Sequence, residues 1–201
     1  MGLFNFFKPK NKNINNNRSE KSPIEADLQG KFNLHLSDFS TKRHSAEVIS
    51  VKLSPDFYEL FPEANKSVET GKRQISTSVV KLIFWGQHVE VSFDPNVTSS
   101  GSEEFIIKIN NQLNWLIKHK HLVDEVIIRD LLPLKNDSWL DENETVLSEE
   151  RFLEAISLTS IDFDQNAGAT LYYDDGNTFF GHTIVVEISS KQKVKQASIA
   201  G

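Results

Sequence analysis

The segment YYDDGNTFFGH, residues 172–182, brings two carboxylates and an imidazole close together in the chain. A histidine titrates near neutral pH, and a neighbouring carboxylate can orient it and stabilise its charged form. Imidazole and carboxylate groups also bind metal ions. If this protein is an enzyme or a metal-binding protein, we expect its site to consist of His182 with Asp174 or Asp175.

The same segment has a structural interpretation, in which it only connects two strands. Asp, Gly and Asn favour turns, and a four-residue turn over 174–177 would pair Tyr172 with Phe179. Side chains alternate along a strand, so Phe180 and His182 would then share an apolar face. This pattern predicts that His182 is buried and hydrogen-bonded within the sheet. We therefore assign no catalytic residue from the sequence.

The structural interpretation predicts the effect of two substitutions. Asp175→Asn should cost little stability, because asparagine suits the same turn. His182→Ala should destabilise the fold by about 1–3 kcal/mol, because it leaves a cavity and an orphaned hydrogen-bond partner.

Residues 162–168, DFDQNAG, place oxygen ligands at alternate positions, as a calcium loop does. Ala167 stands where that loop needs glycine, and Tyr173 stands where it needs glutamate. The segment therefore predicts a hairpin turn instead. The chain has no cysteine, and His119 and His121 would point to different sides of a helix. We expect neither a bound metal nor a cofactor.

The hydrophobic pattern predicts strands, then helices, then strands again. Phe32, Leu34 and Leu36 alternate with polar neighbours, as in a half-buried strand, and two β-rich runs meeting at Trp85-Gly86 predict a hairpin. The predicted strands cover 31–39, 46–53, 74–86, 87–95, 158–164, 169–174, 178–189 and 194–200. Short connections join the last four. The predicted class is α+β, with N-terminal strands, central helices and a C-terminal antiparallel meander.

Three central helices are predicted between the two sets of strands. The first follows Ser102 as its N-cap and carries apolar residues three and four positions apart. The second ends at Pro133, because proline lacks the amide hydrogen that a helix interior uses. The third begins after Ser148 and turns Phe152 and Ile156 toward the core.

Composition divides the chain into a flexible leader and linker, 1–29, and a single α+β domain, 30–201, with an optional sub-boundary near 96–102. Residues 10–29 are rich in Asn, Lys and Ser and contain little to bury. The first residues give an alternative role, weak peripheral contact of the leader with a membrane. Its apolar side chains have too little area for stable anchoring alone. They are Leu3, Phe4, Phe6 and Phe7.

The overall composition excludes several classes of protein. The net charge of −6 over 201 residues disfavours binding to nucleic acid phosphates. No apolar run approaches the ~18 residues that an integral membrane segment needs. We expect a cytoplasmic protein, in agreement with the absence of cysteine.

The segment around Trp139 is the strongest candidate for a protein-binding surface. Tryptophan in an acidic loop could anchor a basic partner, and the 174–177 turn adds further carboxylates. The alternative is that Trp139 folds back onto its own core. The predicted partner-binding residues are Trp139, Asp141, Glu142, Asp174, Asp175 and Asn177.

These motifs resemble an uncharacterised bacterial domain-of-unknown-function family. The shared features are a tryptophan before an acidic stretch, a capped E-E-x-F helix, and a strand pair containing YYDDG and F-x-GH. In this chain they are Trp139, Glu149, Glu150, Phe152, Tyr173, Asp174, Asp175, Gly176, Phe179, Gly181 and His182. Position 180 departs from the family, which often has tryptophan there. The resemblance covers about 80–201 and implies a bacterial cytosolic protein without a known activity.

Similar small α+β proteins often lie beside toxin genes and serve as immunity proteins, which is an association by company. The sequence thus favours a non-catalytic cytosolic protein-binding module, with toxin neutralisation as a narrower form and a basic toxin domain as the partner. Two alternatives stay open. One is an enzyme or metal-binding protein centred on His182, and the other is a membrane-associated adaptor tethered by the leader.

Overall fold

The computed structural model describes residues 21–48, 71–96, 103–142 and 144–201, with the backbone alone for 44–48 and 71–74. Within these described ranges, seven strands form one mixed sheet whose spatial order follows the chain. The strands are β1 Ser40–Val48, β2 Gly71–Phe84, β3 Gln87–Phe93, β4 Ser157–Phe163, β5 Ala169–Asp174, β6 Thr183–Ile188 and β7 Val194–Ala200. All neighbours are antiparallel except β3 and β4, which are parallel.

Three helices make the crossover between the parallel strands β3 and β4. They are α1 Glu103–Leu116, α2 Lys120–Ser138 and α3 Glu149–Ala155. A parallel pair requires a crossover of this kind, whereas β4 to β7 follow one another through short connections. The predicted α+β class with its C-terminal antiparallel meander is confirmed.

One hydrophobic core joins the helices to the sheet. Alternate residues of β2 and β3, such as Leu82, Phe84 and Val91, are fully buried, as are Ile109 of α1 and Ile127 of α2. The intervening strand residues lie on the other, more polar face of the sheet, as the period of two requires. The predicted hairpin between β2 and β3 is confirmed, and Trp85 and Gly86 both adopt positive φ in its two-residue turn.

The strand predicted over 31–39 does not form. Phe32 and Leu34 are buried as their alternation suggested, but the segment pairs with side chains instead of another strand. Asn110 of α1 donates to the carbonyl of Leu34 and accepts from its amide, both at 2.8 Å. Asn114 makes the same pair of bonds with Phe32, at 2.7 and 2.9 Å. Residues 36–38 then form a short 3-10 helix. We call these four bonds the asparagine ladder.

Residues 21–29, which the sequence placed in the leader, contact the domain. The amide of Ile24 donates to the carbonyl of Lys81, and the carbonyl of Ile24 accepts from Ile83, both at 2.9 Å. Ile24 thereby forms a parallel bridge beside Leu82. The membrane-contact residues Leu3, Phe4, Phe6 and Phe7 lie outside the described residues. So do 49–53 of the second predicted strand, 97–102 of the predicted sub-boundary, and the Ser102 cap.

The second helix differs from its prediction. It does not stop at Pro133 but continues to Ser138, so Leu134–Ser138 belong to a helix and not to the predicted acidic loop. Pro133 and Arg129 are both exposed. Because proline has no amide hydrogen, the carbonyl of Arg129 lacks its helical donor, but water can bond to it instead. The third helix agrees with its prediction. The hydroxyl of Ser148 accepts from the amide of Arg151, and Phe152 is buried.

The outer edge of β7 is bonded to α2. The carboxylate of Asp130 accepts from the amide of Ala197 at 2.9 Å, and the guanidinium of Arg129 donates to the carbonyl of Lys195 at 3.5 Å. Arg129 and Asp130 also bond each other, at 2.6 and 2.9 Å. Among the described helices, none combines the length and the apolar character needed to cross a bilayer.

Candidate functional site

The connection between β5 and β6 is an eight-residue loop, 175–182, and the predicted four-residue turn is wrong. Asp174 pairs with Thr183 across the sheet, so Tyr172 pairs with Val185 and not with Phe179. We call residues 175–182 the aromatic loop. The alternation that the sequence suggested holds only from Thr183 onward, because the loop residues are not part of a strand.

Asp175 is the structural centre of the aromatic loop. Its side chain is buried, at 3% exposure, and its carboxylate accepts from three backbone amides. These are Asn177 at 3.1 Å, Phe179 at 2.7 Å and Gly181 at 3.0 Å. A carboxylate held in this way is fully occupied by the chain itself. Asp175 therefore does not lie on the surface that a partner could touch, in contrast to its place among the predicted binding residues.

Four residues of the aromatic loop have left-handed backbone conformations. Gly176 and Asn177 have φ of 55° and 66°, and Phe180 and Gly181 have φ of 56° and 84°. A Cβ at Gly176 would lie 2.0 Å from the carbonyl oxygen of Ala155, so this glycine lets the loop pack on the end of α3. Gly181 faces open space. The backbone thus reverses twice within the loop.

The two consecutive phenylalanines of the loop point in opposite directions. Phe179 is completely buried and contacts the rings of Trp139 and Phe152 edge-on, at 5.5 and 6.0 Å between centroids. Phe180 is 52% exposed. The prediction that Phe180 faces the apolar side of the sheet is wrong, because the left-handed conformation at this residue turns its side chain outward.

His182 is half-buried at the end of the loop. Its Nδ1 lies 2.5 Å from the carbonyl oxygen of Phe179, and its ring lies 5.2 Å from that of Trp139. Because a carbonyl only accepts, Nδ1 carries the proton in this bond. No hydrogen bond or ion pair connects His182 with Asp174 or Asp175, all three of which the structure describes. The residues of the predicted acid–base pair lie close in the chain without contacting each other.

Trp139 connects α2 to the aromatic loop. It is the C-cap residue of the helix, it is half-buried, and its ring packs against Phe179, Phe180 and His182. Its centroid lies 5.5 Å from that of Phe180, with the planes inclined at 35°. Trp139 contacts the core, as the second of the two sequence interpretations predicted, and it also reaches the surface. We call Trp139, Phe180 and His182 together the aromatic surface.

An ion pair between a buried lysine and a half-buried glutamate fixes the backbone on both sides of Trp139. Lys135 is 1% exposed, and its ammonium donates to the carbonyl of Trp139 at 2.7 Å and to the carboxylate of Glu144 at 2.6 Å. Glu144 also accepts from the amide of Asp141. The hydrogen bond from Lys135 lowers the pKa of the Glu144 carboxyl below its ordinary value. The turn that follows Trp139 is therefore held by charge-assisted bonds.

The other predicted partner-binding residues are exposed and stand near Trp139 or the aromatic loop in the chain. Asp141 and Glu142 lie on the turn after Trp139, Asp174 is the last residue of β5, and Asn177 lies in the loop. The carboxylates of Asp141 and Glu142 pair with no cation among the described residues. The local charge is therefore negative, since Glu144 is already neutralised by Lys135.

Two features of this site were not predicted from the sequence. Lys135 appeared as one charge in an acidic stretch, and only its position on the inward side of α2, four residues after Leu131, could have indicated burial. The exposure of Phe180 had one signal, its place directly before Gly181, because paired left-handed residues are common in turns. That signal competes with the apolar run that follows.

The remaining candidate segments show fewer features that suggest a function. In the turn after β4, Asp164 accepts from the amides of Asn166 and Gly168, as the predicted hairpin requires. Within the described residues, no three acidic or histidine side chains are placed to share a metal ion. A groove of about 430 Å³ contains none of the predicted site residues in its lining. It is lined by Lys21, Pro23, Lys81, His88, Glu90 and Thr159, among others.

The fold and site of the described residues define a class: an α+β domain with a seven-stranded mixed sheet, an aromatic loop fixed by hydrogen bonds to Asp175, and an acidic turn after α2. A family model matches residues 72–199, from β2 to β7, and the chain belongs to that family, described as uncharacterized protein conserved in bacteria (DUF2262). The resemblance seen in the sequence is thereby confirmed. No curated protein and no solved structure matches the chain.

Proposed function

We propose that this protein is a non-catalytic protein-binding module that contacts its partner through the aromatic surface. The observation that carries the proposal is the exposed ring of Phe180 on a left-handed backbone. A phenylalanine in this conformation is strained by about 1–2 kcal/mol, and strain of this kind is concentrated at functional positions. The exposed ring of Phe180 also joins Trp139 in one surface patch, and an exposed apolar patch of this kind supports a role in recognition.

The arrangement suits an interface because it is preorganised. Interface anchors are enriched in aromatic residues that are held in one conformation before binding. Here Asp175 fixes the loop from within, and the Lys135–Glu144 pair fixes Trp139 from the other side. A partner that covers Phe180 would therefore immobilise few additional side chains. Little of the free energy gained from the apolar contact would be lost as conformational entropy.

The partner class that fits is a protein with a basic surface. Asp141 and Glu142 follow Trp139 in the chain and Asp174 precedes the aromatic loop. All three are exposed, and the whole chain carries −6. Opposite charge speeds encounter and sets orientation. Toxin neutralisation in the cytoplasm is the narrower form of this proposal, with a basic toxin domain as the partner.

The enzyme alternative receives less support from the same contacts. The three amide bonds of Asp175 and the carbonyl bond of His182 serve the loop itself. A structural role accounts for each of these groups.

Phe180→Ser tests the proposal, with Ile107→Ser as its matched control. Ile107 is 57% exposed on α1, close to the exposure of Phe180, so both changes remove a similar apolar surface. We expect wild type and Ile107→Ser to capture the same protein from the native cell, and Phe180→Ser to lose it. Titration of the purified pair should then show at least a tenfold weaker Kd for Phe180→Ser. Equal affinity of all three proteins would contradict the proposal.

A further inference from the structure

We propose that the partner contacts the aromatic surface with a cationic side chain, an arginine or lysine, laid against the rings of Trp139 and Phe180. This inference rests on the proposed function and specifies the chemistry of the contact. An ordinary apolar patch would accept any hydrophobic group, whereas the exposed carboxylates of Asp141 and Glu142, which follow Trp139 in the chain, favour a cation.

The first argument is the geometry of the rings. The ring centroids of Trp139 and Phe180 lie 5.5 Å apart and their planes are inclined at 35°, so the two rings contact each other without a parallel stack. Gly181, beside Phe180, has no atom within 4 Å of the space that a Cβ would occupy. Trp139 is the aromatic type that attracts a cation most strongly over its face. The exposed part of the Phe180 ring is therefore the surface against which a planar guanidinium or an ammonium would lie.

The second argument is electrostatic. Of the three carboxylates on the turn after Trp139, Glu144 is paired with the buried Lys135, whereas Asp141 and Glu142 are exposed and pair with no cation among the described residues. The hydrogen bonds between Asp141 and Glu144 hold this turn in place. Two free carboxylates thus stand two and three residues from the tryptophan. A cation bound to the rings would gain from both contacts.

The experiment uses two small cations and a neutral molecule of similar shape as probes of the full chain. Tetramethylammonium chloride, methylguanidinium chloride and tert-butanol are titrated separately into ¹⁵N-labelled protein. The readouts are the indole N–H signal of Trp139 and the amide signal of Gly181. We expect both cations to give saturable shifts at these positions, and tert-butanol to bind at least threefold more weakly.

Three sets of variants separate charge and π contact from simple apolar area. Phe180→Leu keeps the apolar volume and should weaken cation binding about two- to fivefold, and Phe180→Trp should strengthen it. Asp141→Asn with Glu142→Gln should weaken binding and reduce its dependence on salt. Ile107→Leu should leave binding unchanged.

Equal binding of tert-butanol and the cations, or the absence of a saturable shift in wild type, would overturn this inference. An unchanged affinity in Phe180→Leu would also overturn it. The Phe180→Ser comparison with the native partner does not depend on these probes. Loss of the partner in that variant, together with no cation binding, would leave the protein-binding proposal standing and remove the cationic anchor alone.

Discussion

Asp175 shows how one buried carboxylate can organise a whole loop. The sequence suggested a turn-forming residue that asparagine could replace, and the structure corrects that expectation. Asparagine would direct an NH₂ group at amides that need an acceptor, either at Phe179 and Gly181 or at Asn177. We expect Asp175→Asn to lower the free energy of unfolding by about 1–3 kcal/mol, measured by urea denaturation.

Asp174→Asn is the matched control for that measurement. Asp174 is exposed and accepts a single bond, from the amide of Gly176. Its substitution should change the free energy of unfolding by no more than about 0.5 kcal/mol. A loss in Asp174→Asn as large as in Asp175→Asn would show that the burial of Asp175 is not what matters.

The Lys135–Glu144 pair makes a pH-dependent contribution to stability. Because Lys135 lowers the pKa of Glu144 in the folded state, ionised Glu144 stabilises the fold above its ordinary pKa of 4.5. This contribution is lost as the pH falls through the lowered pKa. We expect Glu144→Gln to unfold at lower urea concentration than wild type at pH 7, and the difference to shrink as the pH drops below about 4.5. Glu142→Gln, on an unpaired exposed residue, should show neither effect.

At the residue scale, the sequence drew attention to residues near the aromatic loop but did not predict how they are arranged. It identified Trp139, Asp174, Asp175 and His182, all of which lie in or beside the aromatic loop. It missed that Asp175 is buried, because a carboxylate satisfied by its own backbone leaves no mark in hydrophobic patterning. It predicted the wrong orientation for the Phe180 side chain, because a left-handed residue directs its side chain to the other side of the backbone.

Among the elements, the asparagine ladder is the least ordinary device. Two side chains one helical turn apart replace the neighbouring strand that Phe32 and Leu34 would otherwise need. Asn110→Leu would leave the amide and the carbonyl of Leu34 unpaired in a buried position. We expect a loss of at least about 2 kcal/mol in the free energy of unfolding by urea.

The adjacent Asn111 provides the control for the ladder. It is exposed on the same helix, so Asn111→Leu makes the same chemical change without a buried partner. That variant should stay within about 0.5 kcal/mol of wild type. Similar losses in both variants would mean that helix propensity, and not the ladder, accounts for the result.

The elements were predictable where one periodicity dominated. The helices α1 and α3 and the strands β4 to β7 each follow a single period and were found. Residues 31–39 show the period of a strand, but this pattern indicates only which side chains are buried. It does not indicate whether the backbone of the segment bonds to a neighbouring strand or, as here, to side chains of a helix. The end of α2 was mispredicted at Pro133. Proline has no amide hydrogen for the carbonyl of Arg129, but this carbonyl lies on the solvent side of the helix, where water can bond to it instead.

For the whole molecule, the order of strands, helices and strands was enough to predict the class. A segment of three helices between β3 and β4 allows these strands to be parallel, and short connections make the remainder antiparallel. The partner could not be predicted in the same way, because affinity depends on the exposure and geometry of a few side chains. The family match places the chain among related bacterial proteins without adding an activity.

The bonds from α2 to the outer edge of β7 have a consequence for how separate molecules meet. A free strand edge is a template on which another chain can add a strand, and proteins commonly block such edges. Asp130 and Arg129 occupy the amide of Ala197 and the carbonyl of Lys195, the groups that an added strand would use. Replacing both with alanine should leave the sheet folded, by circular dichroism, while increasing light scattering at equal protein concentration. If scattering matches wild type over days at 37 °C, the edge is protected by other means. If it rises, two adjacent side chains on one helix keep this bacterial protein from aggregating through its last strand.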